Sequence, residues 1–186
     1  MNWVLLGTII GYVAIVESLM IYVSQKRTVI LILREVSNVL WMLNNLFLGL
    51  YTGALLWGVA FIRDAIYMCR LKYKWANSYV WPCVFIAMLA ISPIVSWQGP
   101  ISLVPAIGSI FNVLGGFMKS PTTMRLFLFP CEILWIIYAI VSGNIPLIIS
   151  ESFLLFSAIL GVVRSIVEHY RNKKANAVQE IEKQNE

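Results

Sequence analysis

The sequence has little of what soluble enzymes use. Only 12% of its 186 residues are charged, and it contains a single histidine, His169, and a single aspartate, Asp64. A histidine-based triad, an HExxH zinc site and a pair of catalytic aspartates therefore lack their residues in the apolar part of the chain. The three cysteines form no CxxC pair, and there is neither a Walker loop nor a GxGxxG motif. We expect no enzyme, no cofactor and no metal site.

Apolar residues dominate instead, at 60% of the chain, and the mean hydropathy is +0.80. A water-soluble domain needs a polar exterior that this composition does not supply. A transmembrane helix uses about 20 mostly apolar residues. Seven such segments can be marked off, at residues 3–23, 29–50, 53–70, 78–97, 102–118, 126–142 and 145–167. The predicted fold class is all-α, a polytopic membrane protein with seven transmembrane helices.

Basic residues predict the orientation, because Lys and Arg near helix ends stay on the cytoplasmic side. They occupy the first, third and fifth connections and the tail, and are absent from the N-terminus and the other three connections. We therefore expect the N-terminus outside and the C-terminus, with the polar tail 168–186, in the cytoplasm. The net charge of +5 is scattered between apolar runs instead of forming a stripe, so we expect no nucleic acid partner.

The chain also repeats itself when it is shifted by 94 residues. A mid-helix tryptophan, an external turn glycine and a cytoplasmic arginine coincide: Trp41 with Trp135, Gly49 with Gly143, and Arg70 with Arg164. Two parallel three-helix repeats in one chain require a single inverting helix between them. We predict a first three-helix repeat over 1–75, a linker helix over 76–100, a second repeat over 101–167 and a polar tail over 168–186.

Seven ionisable residues lie inside the apolar segments: Glu17, Arg34, Glu35, Arg63, Asp64, Glu132 and Glu151. Each costs about 2.5–3.5 kcal/mol at a helix centre on insertion scales, so each needs an explanation. One interpretation is structural: Arg34 pairs with Asp64 and Arg63 with Glu35, because neighbours on one helix do not face each other. The other interpretation is functional: Glu17 binds the solute, and the other six residues form a charge cluster that couples transport. Glu132 and Glu151 are close enough to helix ends to reach water.

Aromatic and amide residues form the second candidate group. Trp41 lies three and four residues before Asn44 and Asn45, so one helix face presents a flat apolar plate beside an amide. Trp135 and Tyr138 repeat this arrangement in the sixth segment, and Asn112 lies in the fifth. These residues suit a planar or sugar-like solute in a central cavity. They equally suit packing and hydrogen bonding between membrane helices.

The stretch GALLWGVAFIRDAIYMCR and the segments after the fourth helix resemble the bacterial inner membrane YgjV family. The matching features are Arg63 before a basic loop, P-x-I-G at 105–108, T-M-R at 123–125, and E-S-x-L-L at 151–155 with Arg164 beyond it. The resemblance covers most of the chain except the polar tail. It implies a multi-pass protein of the bacterial inner membrane without naming a solute.

More distantly, two three-helix repeats in a short seven-span chain are similar to the SWEET, PQ-loop and PnuC transporter group, although no Pro-Gln dipeptide is present. That resemblance implies a 3+1+3 fold with a central cavity lined by Trp and Asn. We predict a transporter for a small polar or aromatic solute, sugar-, vitamin- or nucleoside-like, working by alternating access. The alternative is a non-transporting membrane protein that binds lipid or a protein partner. The expected partners are the bilayer and a small molecule, with homo-oligomer formation left open.

Overall fold

A computed structural model describes residues 2–23, 27–69, 72–117, 121–160 and 163, and within these ranges the chain forms seven α-helices and no strands. The helices are α1 Trp3–Val23, α2 Arg27–Phe47, α3 Tyr51–Cys69, α4 Val80–Val95, α5 Leu103–Phe117, α6 Pro121–Val141 and α7 Ile145–Leu160. Two short 3-10 turns, Lys74–Asn77 and Pro100–Ser102, precede α4 and α5. The all-α class is therefore confirmed.

Helix boundaries agree with the predicted segments to within about three residues for α1 to α5. The sixth helix differs, since α6 begins at Pro121 instead of residue 126. Proline is favoured in the first turn of a helix, where a missing N–H costs nothing, and the polar Thr122 and Thr123 belong to the helix. The tail 168–186, His169, Arg70 and Arg164 lie outside the described residues.

Three glycines with left-handed backbone conformations close the turns at one end of the bundle: Gly49 (φ 74°), Gly99 (φ 104°) and Gly143 (φ 67°). We call this the glycine end. At Gly49 the amide N–H of Leu50 donates to the carbonyl of Asn45 at 2.8 Å. At Gly143 the N–H of Asn144 donates to the carbonyl of Ala139 at 3.0 Å. Both helices thus end in the same glycine-dependent motif, 94 positions apart.

Polarity is reversed relative to a soluble protein. Long apolar side chains such as Val16, Ile94 and Phe153 are more than half exposed on the outside of the bundle. Charged and amide side chains are buried inside: Glu17, Asn38, Asn44, Asn45, Arg63, Asp64, Glu132, Asn144 and Glu151. This distribution is typical of a helical bundle surrounded by lipid. By length and composition, Trp3–Met20 and Tyr51–Cys69 could each cross a membrane, and four other apolar helices in the described ranges are shorter.

Helices that follow each other in sequence make most of the packing. α2 packs between α1 and α3, α5 packs against α6, and α4 lies against α5 and α3. The inner face of α4 contributes Phe85 and Leu89, both almost completely buried. α3 also contacts α5 over a short stretch, and this contact joins the two halves of the chain. The centre of the bundle is therefore bounded by α3, α4, α5 and α6.

Candidate solute site between the two halves

A row of aromatic rings crosses the centre of the bundle. The ring centroids of Trp41 and Trp57 are 6.1 Å apart and stacked, and those of Trp57 and Trp135 are 5.2 Å apart and tilted by 45°. Tyr138 meets Trp135 edge-on at 5.8 Å. Such contacts between buried rings add specific geometry to apolar packing. The row joins α2 and α3 of the first half to α6 of the second.

A small cavity adjoins these rings, with about 40 Å³ of free volume. Four of its lining residues carry polar groups: Trp57, Arg63, Ser109 and Asn112. Trp135 covers one side, and Leu56, Val59, Leu89 and Val113 complete the wall. One water needs roughly 10–15 Å³ of such space, so the cavity has room for a few water molecules. It is a small, mixed polar and aromatic space between the halves.

Two of the amides predicted to bind solute, Asn44 and Asn45, do not line this cavity. The Asn44 Nδ2 group donates to the carbonyl of Gly7 at 2.9 Å, and its Oδ1 accepts from Asn144 Nδ2 at 2.8 Å. The Asn45 Nδ2 group donates to the carbonyl of Trp41 at 2.9 Å, one turn earlier in α2. Asn44 therefore joins α1, α2 and the α6–α7 turn. A role for these two amides in solute binding stays a prediction.

Two glycines make this close packing fit. A Cβ on Gly11 would lie 2.6 Å from both the Asn44 Nδ2 atom and Pro146. A Cβ on Gly53 would lie 2.4 Å from the Asn45 Oδ1 atom. The Gly53 N–H also donates to the Tyr138 hydroxyl at 3.3 Å, which ties α3 to α6. Tyr138 thus has a hydrogen-bond role at the junction between the halves.

A second polar network seals the glycine end between α3, α4 and α5. The Thr52 hydroxyl donates to the Ser96 carbonyl at 2.8 Å and lies 3.2 Å from the Ser102 hydroxyl. Gln98 adds two bonds, from its Nε2 group to the Gly49 carbonyl at 2.6 Å and from its N–H to Ser102 Oγ at 3.0 Å. Neutral side chains bonded this way hold membrane helices together. The glycine end is closed in this conformation.

An ion cluster lies beside the cavity on α2 and α3. The Asp64 carboxylate contacts Arg34 Nη2 at 3.0 Å and Arg63 Nε at 2.8 Å, and it accepts from Asn38 Nδ2 at 3.3 Å. The predicted Arg34–Asp64 pair is confirmed. The predicted Arg63–Glu35 pair is wrong, because the Arg63 side chain turns back to Asp64, its neighbour in sequence.

Two other carboxyl groups have buried oxygens without a well-formed hydrogen bond inside the described residues. Both oxygens of Glu35 lack such a bond, although Asn38 approaches them, and this side chain borders an apolar groove of about 240 Å³ with Val36 and Phe61. Both oxygens of Glu17 also lack a partner, although Ser37 approaches them. An unsatisfied buried carboxyl group is expensive. Glu17 therefore remains a candidate for a functional role, but it does not line the central cavity.

Glu132 and Glu151 differ from the expectation that they reach water. Both residues are more than nine-tenths buried, and their carboxyl groups are hydrogen-bonded to each other. Counting about 1.5 Å per residue from the glycine end, they lie roughly 9–14 Å into α6 and α7, near the middle of a bilayer core of about 30 Å.

The sequence interpretation missed Trp57, Ser109 and the sealing network. Trp57 stands opposite Glu151 in the repeat alignment, so the repeat gave no landmark for it. Its usable signal is helical spacing, because Trp57, Ala60 and Arg63 follow one another at intervals of three and share a face of α3. Ser109 lies on α5 one turn before Asn112 in the same way. Asn112 does line the cavity, and its Nδ2 group approaches Cys131 Sγ at 3.9 Å.

Comparison with protein families gives one result over most of the chain. The family model Imp-YgjV, described as a bacterial inner membrane protein, matches residues 5–169. The match covers all seven helices, from the first turns of α1 to the described end of α7. No curated protein and no solved structure matches the chain.

Proposed function

The chain belongs to the Imp-YgjV family of bacterial inner membrane proteins, and on that premise we propose that it carries a small polar or aromatic solute across this membrane. The solute class is sugar-, vitamin- or nucleoside-like. Movement would occur by alternating access between two three-helix repeats, without a catalytic step, a cofactor or nucleic acid. The multi-pass chain would have its N-terminus outside and its C-terminus in the cytoplasm.

One observation carries the proposal: a small cavity lies where the two halves meet, and aromatic rings from both halves border it. Trp57 of α3 and Trp135 of α6 are in direct contact beside the cavity, and Arg63 and Asn112 face it with polar groups. Solute sites are typically apolar and aromatic cavities with a few polar groups. In repeat-built transporters these sites lie near the membrane midplane between the repeats.

The internal repeat supports a 3+1+3, SWEET-like arrangement with α4 as the inverting linker. The helix-ending hydrogen bonds around Gly49 and Gly143 recur 94 positions apart, down to the Gly49 N–H to Leu46 and Gly143 N–H to Ile140 bonds. The bundle would then open alternately at its two ends. Closure of the glycine end by Thr52 and its partners agrees with one of these states.

A second candidate function is lipid binding without transport. An open groove of about 550 Å³ lies on the outside of the bundle near the glycine end, lined by α2, α3 and the end of α4. Its wall is apolar, from Met42, Leu46 and Leu55, while Gln98 and Trp97 stand at its rim. This arrangement suits an acyl chain beneath a polar headgroup.

A thermal-shift screen separates the two functions. Protein purified in detergent is heated with nucleosides, vitamins, sugars and amino acids, since a ligand that binds only the folded state raises the Tm. We expect a hit that is lost in Trp41→Ala and Trp135→Ala and kept in Trp97→Ala, which removes an exposed tryptophan. The hit is then tested for uptake into proteoliposomes. No hit, together with stabilisation by phospholipid alone, contradicts the transport proposal and favours lipid binding.

A further inference from the structure

We propose that the transported solute carries an anionic group, best a carboxylate, and that this group binds Arg63 in the cavity between Trp57 and Asn112. The inference rests on the proposed function and adds the charge of the solute to it. It predicts that acids are preferred over the corresponding neutral amides. The positive charge facing the cavity, and not only its aromatic wall, then determines which solutes are carried.

The polar lining of the cavity consists mainly of hydrogen-bond donors. The Arg63 guanidinium and the Trp57 indole N–H can only donate, while the Ser109 hydroxyl and the Asn112 amide can act in either sense. The Trp57 Nε1 atom is buried and has no hydrogen-bond partner among the described residues. A buried donor without a partner costs free energy. A solute oxygen in the cavity would satisfy it.

Arg63 is buried, and its direct ion pair within the described residues is with Asp64. That contact is made through Nε, and the terminal nitrogens Nη1 and Nη2 can bind a second carboxylate in the two-point manner. Asp64 is also shared with Arg34, so one carboxylate serves two guanidinium groups. An anion in the cavity would give Arg63 a second direct partner of opposite charge.

The neighbouring carboxyl groups are engaged or directed elsewhere. No Asp or Glu lines the cavity in the described ranges. Glu35 borders the apolar groove between α2 and α3, and Glu132 is hydrogen-bonded to Glu151. Asp64, the carboxylate that is paired with Arg63, is not among the residues that line the cavity, so an anion bound there would not have to displace it.

The size of the cavity sets how the solute is held. Its free volume of about 40 Å³ admits a carboxylate group or a few waters, but not an aromatic ring as well. A larger solute is accommodated when the contact between Trp57 and Trp135 opens. Acids of different sizes are therefore needed as probes.

The experiment measures Tm for purified protein against matched acid and amide probes: acetate and acetamide, benzoate and benzamide, nicotinate and nicotinamide. We expect half-saturation by the best acid at a concentration about tenfold lower than by its amide, because a hydrogen bond to a charged group is stronger than one between neutral groups. Trp57→Phe, which keeps a ring and removes the N–H, should weaken acid binding. Asn112→Asp, which introduces a like charge, should abolish it.

Arg63→Gln should also abolish acid binding, and Arg34→Gln is the matched control. Both substitutions remove one guanidinium from Asp64, but Arg34 does not line the cavity. Acid binding that persists in Asn112→Asp and Arg63→Gln overturns the inference. An amide that binds as well as its acid, with loss of binding in Trp135→Ala, overturns the inference and leaves the proposed function standing. Failure of every acid and amide, and of the wider solute screen, contradicts both.

Discussion

Removal of the Asp64 charge should destabilise the protein much more than removal of the Arg34 charge, which Asp64 binds at the periphery. Within the described residues Asp64 forms the ion pair of the buried Arg63, and it is buried itself, with 7% of its surface exposed. Asp64→Asn leaves Arg63 as an uncompensated buried charge. Breaking a buried ion pair in this way costs about 3–5 kcal/mol. Arg34→Gln is the matched comparison, because the Arg34 side chain is 49% exposed. An exposed ion pair contributes about 0–1 kcal/mol.

The assay is the free energy of unfolding in detergent micelles, measured by denaturant titration and by Tm. We expect Asp64→Asn to cost several times more than Arg34→Gln. Equal losses in the two variants would refute the reasoning, because they would mean that the difference in burial between Arg63 and Arg34 has no effect on the free energy of unfolding. A double variant, Arg63→Met with Asp64→Leu, sharpens the test. Buried ion pairs replaced by apolar residues of similar volume are often as stable as the original, so this variant should recover most of the loss seen in Asp64→Asn.

Three further predictions concern packing and hydrogen bonds. Gly53→Ala should cost about 1–3 kcal/mol of stability, because the added Cβ would overlap an amide oxygen of α2. Gly58→Ala in the same helix is the control and should be neutral or stabilising, because its Cβ would meet only a methionine sulfur at 3.5 Å. Thr52→Val should lower stability by about 1–3 kcal/mol, because partners of its hydroxyl at the glycine end lose their bond. Glu151→Ala should be more destabilising than Glu151→Gln, because only glutamine can still hydrogen-bond the buried Glu132 carboxyl. Each is measured as the change in Tm, and the reverse order within the glycine pair or within the Glu151 pair contradicts the packing described.

The positions of the helices could be predicted from the sequence because they depend on local properties. Apolar segments of sufficient length and turn glycines are visible in one stretch of chain, and Gly49 and Gly143 end their helices where the alignment places them. The Arg34–Asp64 pair could be predicted in the same way, since it joins two helices connected by a short turn.

The contacts made by long side chains could not be predicted from helical spacing. The rule that adjacent residues on a helix diverge holds for Cβ positions. The Arg63 side chain is long enough for its Nε to return to Asp64 at 2.8 Å, which left Glu35 without this partner. The burial of Glu132 also depends on a partner from another helix, Glu151, and nothing local in either segment shows that they meet.

Buried polar groups in this bundle fall into two kinds, and the difference separates architecture from function. Asn44 uses both its amide nitrogen and its oxygen to join three segments of the chain, so packing accounts for it fully. The Trp57 indole N–H and the Glu17 carboxyl are buried without a hydrogen bond in the described part of the chain. A fold selected for stability alone gains nothing from such groups, since apolar residues of similar shape would avoid the cost. Trp57 borders the cavity that Arg63 also lines. The free-energy cost of its unpaired indole N–H therefore arises beside the cavity, where a bound solute could supply the missing acceptor.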